Sequence, residues 1–278
     1  MEYLPNIIIS EKIKSHYEEN NEQERLSVGT GQLEFERTKE LIGRHLPDKP
    51  ATILDIGGAA GAYSLWLARE GHDVHLVDPV PFLVEQARQA SAAQKRAPIK
   101  SINVGDARKL DFPDGSADMV LLMGPMYHLV ERGDRLTALK EANRVLKKNG
   151  WLIAAAISKF ASTLDGFVRE YMDDPKFVEI AERDLIDGQH RNPFDNLAYF
   201  TTAFFHHPSE LKKEIEEEGF AYQNTFAVEG FGWMLQNFEN HWNNPRRRER
   251  MLKFIRTTET EPTMIGMSAH LLAVARKI

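Results

Sequence analysis

Four positions spaced two apart, Asp55, Gly57, Ala59 and Gly61, fall in the run Ile53-Leu54-Asp55-Ile56-Gly57-Gly58-Ala59-Ala60-Gly61, and Asp78 closes a second apolar run, Val74-His75-Leu76-Val77-Asp78. Short branched-apolar segments suit buried parallel strands, and glycine at the end of the first lets backbone approach a ligand closely as the next helix opens. An acidic side chain ending the second strand then lies where a nucleoside ribose would sit. The dinucleotide fingerprint Gly-x-Gly-x-x-Gly would need glycine at Ala59 and Ala62 when counted from Gly57, or at Ala60 and Tyr63 when counted from Gly58. Neither frame fits, which disfavours a nicotinamide oxidoreductase. For proton transfer the candidates are His128, after an apolar run at 118–123, and the adjacent pair His206 and His207 before Pro208. Imidazole titrates near neutral pH. A histidine after a strand also suits a helix cap or a cavity wall, and the pair suits a capped turn; neighbouring histidines alone make no metal site.

The elements that hold these residues alternate. Strands are predicted at 52–56, 73–77, 99–103, 118–123 and 151–157, with helices at 62–70, 81–94 and 134–147, the last ending in Lys147-Lys148 before an Asn149-Gly150 stop. Persistent alternation is the mark of a parallel sheet with helices on both faces. Ahead of it, residues 10–32 are polar and read as an exposed arm, and 33–46 as a helix ended by Pro47-Asp48-Lys49-Pro50. Beyond Ser158 the rhythm breaks into aromatic-rich helical stretches at 160–172 and 176–187, followed by a turn-rich segment up to Phe205; it resumes with a helix at 209–218 and a strand at 221–228. A helix around 246–258 and a strand at 268–275 close the chain. The expected organisation is a helical N-terminal arm (1–50), a core (51–158 and 206–278) and a cap forming the substrate pocket (159–205). The expected fold is α/β, a doubly wound, mostly parallel seven-stranded sheet.

Bulk composition narrows the function classes. A formal charge of −6 provides no basic field for collecting nucleic acid. The run Arg246-Arg247-Arg248-Glu249-Arg250 reads as a solvated helix start. Absence of cysteine removes disulfides, thiolate metal sites and a cysteine nucleophile. With no basic-then-apolar leader and no apolar run of about 18 residues, the expectation is a cytoplasmic protein without membrane or nucleic-acid partners, a monomer or homodimer.

An acidic residue in the first strand, Gly-x-Ala-x-Gly after it and an acidic residue ending the second strand together resemble the class I S-adenosylmethionine-dependent methyltransferases. The resemblance continues through Gly105-Asp106-Ala107, through Phe112-Pro113-Asp114-Gly115-Ser116-Ala117-Asp118 leading into the fourth strand, and through Glu141-Ala142-Asn143-Arg144-Val145-Leu146-Lys147-Lys148-Asn149-Gly150-Trp151-Leu152. It covers residues 52 to about 157 in order. Two departures stand out: Ala59 occupies the usual middle glycine, adding a methyl near the methionyl part of the cofactor, and Asn149 stands where proline is common.

The resemblance implies S-adenosylmethionine as cofactor, with no metal, and roles for individual residues. Gly57, Gly58, Ala59 and Gly61 would form the loop, and Asp55 would hold it or reach the cofactor's amino group through water. Asp78, followed by Pro79, would accept both ribose hydroxyl hydrogens. Leu83 or Phe82 would pack on adenine or ribose, Asp106 would reach the adenine amino group, and Ala107 would offer a backbone contact. Met123 and Gly124 would line the cofactor, while Tyr127 and His128 face the joint pocket with the acceptor. Arg37 would pair with the methionyl carboxylate or form a surface ion pair with Glu34 or Glu40, and Tyr17 with His16 would fold over as a lid. No Asn/Asp-Pro-Pro-aromatic motif follows the fourth strand, which again points away from nucleic acid. The acceptor expected is a small, apolar or aromatic molecule methylated at O, N or C, walled by cap aromatics such as Phe160, Phe167, Tyr171, Phe177, Phe194, Tyr199, Phe200, Phe204 and Phe205. The alternative is a non-catalytic protein that binds the cofactor, or its product S-adenosylhomocysteine, for regulation or assembly.

Overall fold

The computed structural model of the protein describes residues 25–46, 50–194 and 196–278. The strands are β1 Thr52–Ile56, β2 Asp73–Asp78, β3 Ser101–Val104, β4 Ala117–Leu122, β5 Leu146–Ser158, β6 Gln189–His190, β7 Ala203–His206, β8 Phe220–Ala227 and β9 His270–Lys277. Five of them run parallel in the order β3-β2-β1-β4-β5; β9 pairs antiparallel with β5, and β8 antiparallel with β9. This is the expected doubly wound, mostly parallel sheet of seven main strands. β6 and β7 add a short hairpin, and β7 pairs with Ile157 and Ser158 where β4 has already ended.

The helices are α1 Gly31–Gly43, α2 Ala62–Arg69, α3 Pro81–Ala93, α4 Pro125–His128, α5 Arg132–Val145, α6 Ala161–Val168, α7 Pro175–Asp187, α8 Pro208–Glu217, α9 Phe238–Trp242 and α10 Pro245–Thr258. Side chains alternate along a strand, so each strand feeds two cores. From β1, Leu54 and Ile56 join Leu139 and Ala142 of α5 and Leu211 and Ile215 of α8. Ile53 points the other way, to Leu41 of α1, Leu67 of α2 and Ala87 of α3. With both faces covered, only the carboxyl ends of the parallel strands are left to form a site.

One local expectation is corrected. Residues 146–150 do not end a helix but begin β5: Leu146, fully buried, pairs with Ala117, and Asn149 turns the chain at φ 62°. Burial of Leu146 against β4 outweighs the cationic helix-end signal of Lys147-Lys148. The basic run opens α10 with every member exposed, behind an Asn244 side chain that accepts from the Arg247 N–H. Among the described residues no helix is long and apolar enough to cross a membrane.

Candidate active site

Gly57 follows β1 at φ 76°, and its N–H donates to the Val77 carbonyl at 2.7 Å, tying the loop to β2. A Cβ there would lie 2.8 Å from Pro125 Cδ and 3.0 Å from Gly124 N, so glycine is required for α4 to start against the loop. Two residues on, Ala59 sits at φ 46° and donates its N–H to Asp78 Oδ2 at 2.9 Å. Oδ1 of the same carboxylate accepts from Val80 N–H at 2.9 Å. The Asp78 side chain is thereby fixed in place at the carboxyl edge of the sheet.

Ala59 carries a conformational cost. A residue with a Cβ in the left-handed region loses about 1–2 kcal/mol, of which glycine would recover most, less the roughly 0.4–1 kcal/mol of chain entropy that glycine adds to the unfolded state. Ala59→Gly is therefore expected to raise stability by up to about 1 kcal/mol, read as a higher urea midpoint with unchanged slope.

Around this loop lies a cavity of about 600 Å³. Gly57, Gly58, Ala59, Asp78, Pro79, Leu83, Asp106, Ala107, Met123, Gly124, Tyr127 and His128 all line it. Asp106 is clamped there by Arg108, whose Nε and Nη2 approach its carboxylate at 3.0 and 2.6 Å and whose Nη1 reaches Asp134. Burial opposes ionisation of Asp106, but the Arg108 guanidinium outweighs it and holds the carboxyl below its usual range.

Other expected positions lie elsewhere. Gly61 is outside the lining and caps α2 at φ 87°. Asp55 is buried behind the loop, where Oδ2 accepts from Ser64 Oγ at 2.7 Å and Oδ1 has no hydrogen-bond partner among the described residues; burial pushes its carboxyl up to about 6. Phe82 is 45% exposed and is not among the lining residues. Arg37 does not reach the cavity. It is buried, with Nε on the Val228 carbonyl and its other nitrogens on Glu40 and Glu259, so it forms an ion pair as the alternative reading had it, but an internal one. His206 is fully buried against Glu214 and His207 caps α8 over Ser209 and Glu210; neither lines this cavity or the second one described below, which corrects their candidacy for proton transfer there. Tyr17 and His16 lie outside the described residues.

A second cavity, of about 710 Å³, opens beside the first, and Tyr127 and Arg25 belong to the walls of both. The Tyr127 hydroxyl donates to the Met123 carbonyl at 2.7 Å, which fixes the ring at the junction. From the stretch read as a cap come Ala161, Ser162, Phe177, Tyr199, Phe200 and Phe205. The opposite wall holds a charge cluster that the sequence reading missed. Arg25 grips Glu34 through both carboxylate oxygens at 2.5 and 3.0 Å, and His270 Nδ1 lies 2.5 Å from Glu229 and 3.8 Å from Glu34. Burial disfavours a charged His270, but Glu34 and Glu229 outweigh it and push the imidazole up to about 9. These residues come from three stretches, around 25–34, 229 and 270, so no local spacing could have grouped them.

Residues 54–154 match the methyltransferase domain family model. That span carries a methyltransferase domain, and the relatives and fold neighbours support the class I S-adenosylmethionine-dependent type. It is 31% identical over 132 residues to an uncharacterized methyltransferase of Mycobacterium tuberculosis, covering 46% of this chain and half the length of that relative. A ubiquinone/menaquinone biosynthesis C-methyltransferase of Rickettsia bellii is 28% identical over 199 residues, 69% of this chain and 77% of that one. In fold, the chain matches a crystal structure of an S-adenosylmethionine-dependent methyltransferase from Methanosarcina mazei with a TM-score of 0.58 at 19% identity, over 86% of this chain and 97% of that one. The first cavity fits the cofactor of such a methyltransferase domain on its own chemistry. A cationic sulfonium nucleoside meets the acidic groups Asp78 and Asp106 on the wall, and the apolar wall of Val80, Leu83 and Ala107 suits a purine. The orphaned Asp55 Oδ1 beneath the loop adds negative character.

Proposed function

We propose that the protein transfers a methyl group from S-adenosylmethionine to a small, planar, largely apolar molecule held in the second cavity. The observation that carries this reading is the junction at Tyr127: one side chain walls both a cavity with the donor set for the cofactor and a cavity lined by cap aromatics. The printed function of the Rickettsia relative, a quinone-biosynthesis C-methyltransferase, supports an aromatic acceptor.

When bound, the cofactor supplies an already activated methyl group, so the protein's task is positioning and exclusion of water. Asp78, fixed by two backbone N–H groups, would accept from the ribose hydroxyls, and Asp106, fixed by Arg108, would accept from the adenine amino group. Gly57 and Gly124 let the loop and the end of β4 close on the same space. Tyr127, anchored to Met123, separates the two ligands without filling either cavity. Phe177, Phe200, Phe205 and Trp233 give the acceptor flat apolar walls.

The test is incubation with S-adenosylmethionine carrying a radiolabelled methyl group and a panel of quinols, phenols and arylamines, with extraction of labelled product. The expected result is label transfer to at least one planar aromatic. Tight binding of the cofactor with no transfer across the panel would favour the regulatory or assembly reading instead.

A further inference from the structure

We propose that His270, positioned by Glu229, takes the proton from an acceptor hydroxyl in the second cavity, so that the molecule methylated there is a phenol or enol and the atom methylated is oxygen. This rests on reading the second cavity as the acceptor site.

One imidazole nitrogen of His270 is already committed. A carboxylate oxygen accepts, so the 2.5 Å contact between Glu229 Oε1 and Nδ1 assigns the proton to Nδ1. Glu229 is itself held, because Oε2 accepts from Ser268 Oγ at 2.8 Å and from the His270 backbone N–H at 3.0 Å. Ser268 Oγ in turn accepts from the N–H groups of Glu229 and Gly230. With Nδ1 protonated and the carboxylate unable to rotate, Nε2 is the nitrogen left to accept a proton, and no described residue bonds it. The imidazole keeps 26% of its surface exposed on a cavity wall. This is the arrangement in which a base is oriented by a fixed acid behind it.

The other imidazole on this cavity is unsuited. His190 is buried with both ring nitrogens bonded, to Asp184 and to the Tyr199 carbonyl, at 2.8 Å each. His270 also stands on β9 opposite Ile157 of β5, a position where an apolar side chain would serve the sheet.

In the step, the acceptor O–H bond breaks and its proton passes to Nε2. The oxygen lone pair forms the O–CH₃ bond as the C–S bond breaks, and that bonding pair stays on sulfur, leaving S-adenosylhomocysteine neutral at sulfur. The imidazolium later releases its proton to solvent. Charged and titratable groups near His270 are Glu229 beyond β8, Glu34 of α1 and Arg25 ahead of it; the same cavity is also lined by Asp165 of α6, Arg169 just after it, His190 of β6, Tyr127 and Tyr199. Their balance raises His270, so the neutral base is the minor form at pH 7 and its fraction grows about tenfold per pH unit until the plateau near 9.

The experiment uses the full chain saturated with S-adenosylhomocysteine, with 2-naphthol as probe and 2-naphthylamine as its amine counterpart, and follows imidazole nitrogens by NMR. Binding of 2-naphthol is expected to shift the His270 Nε2 resonance, and the amine to leave it little changed. With S-adenosylmethionine, kcat/KM for 2-naphthol is expected to climb with pH to a plateau near 9 and to fall roughly 100- to 10,000-fold in His270→Asn. Glu229→Gln, a positioning change, should move the plateau toward lower pH because one of the two raising carboxylates is gone. Absence of a His270 response to 2-naphthol, transfer that is unchanged within threefold in His270→Asn, or a rate that falls with rising pH would each overturn the proposal. Stabilisation of both variants by S-adenosylhomocysteine shows that they fold. Loss of that stabilisation in the wild-type chain would instead sink the methyltransferase reading beneath the proposal.

Discussion

Asp78→Ala is expected to abolish almost all of the thermal stabilisation that S-adenosylhomocysteine confers on the wild-type chain. Ligand at 100 times its dissociation constant stabilises a protein by about 2.7 kcal/mol. Hydrogen bonds to a charged group contribute roughly 1.5–3 kcal/mol each, so losing two ribose contacts weakens binding by a hundredfold or more. At the same ligand concentration the variant would then sit near or below half-saturation, where stabilisation is about 0.4 kcal/mol. The readout must be the ligand-induced increment in Tm. Asp78 also accepts from the N–H groups of Ala59 and Val80, so the variant's own Tm will drop whether or not the cofactor reading is right. NAD should shift neither protein. An increment that survives intact in Asp78→Ala would remove Asp78 from the cofactor site.

How much of this was legible in advance follows from how local each signal is. The run from Asp55 to Gly61 and the end of β2 are contiguous in sequence, and their backbone demands, positive φ at Gly57 and a short branched strand behind it, show in residue type alone. That is why the mostly parallel sheet and many of the residues lining the first cavity are legible from sequence. Asp55 was harder to place: its type suits a ligand contact, but the strand's alternation sends its side chain behind the loop, to Ser64 of α2. Arg37 and His206 misled for the opposite reason. Each is a polar residue whose partners, Glu259 and Glu214, become neighbours only when distant elements pack. The second cavity was the least legible part, since Glu229 and His270 come together only where β8 pairs with β9, and the local Arg25–Glu34 pair reaches them only when α1 packs there.

Glu214→Ala should be among the most destabilising single changes in this chain, at about 3–5 kcal/mol, because it strands a buried cation. Arg135 is fully buried on α5; its Nε and Nη2 reach Glu214 of α8 at 3.0 and 2.7 Å, and its guanidinium lies 3.7 Å from the centre of the Phe204 ring on β7. His206 Nε2 completes the group at 3.3 Å from Glu214. The double change Arg135→Met with Glu214→Leu removes both charges and should cost far less than Glu214→Ala. Acid should act on the wild type as the single change does. Burial alone would raise the Glu214 carboxyl, but its bonds to His206 and Arg135 outweigh that and bring it down to about 2. A carboxyl depressed on folding contributes stability that is complete above its unfolded value, near 4.5, and is lost as pH falls through about 2, on the order of 3 kcal/mol in all. Burial lowers His206, so the unfolded chain already binds the extra proton below about 6.5 and stability begins to slope there. Loss of the lower-pH step in the double variant, with the step below about 6.5 retained because His206 stays buried, would tie the two slopes to Glu214 and His206 respectively. Since Arg135 Nη1 also holds the carbonyls of Leu129 and Val130, which line the first cavity, the same acid titration should loosen S-adenosylhomocysteine binding before the sheet itself unfolds.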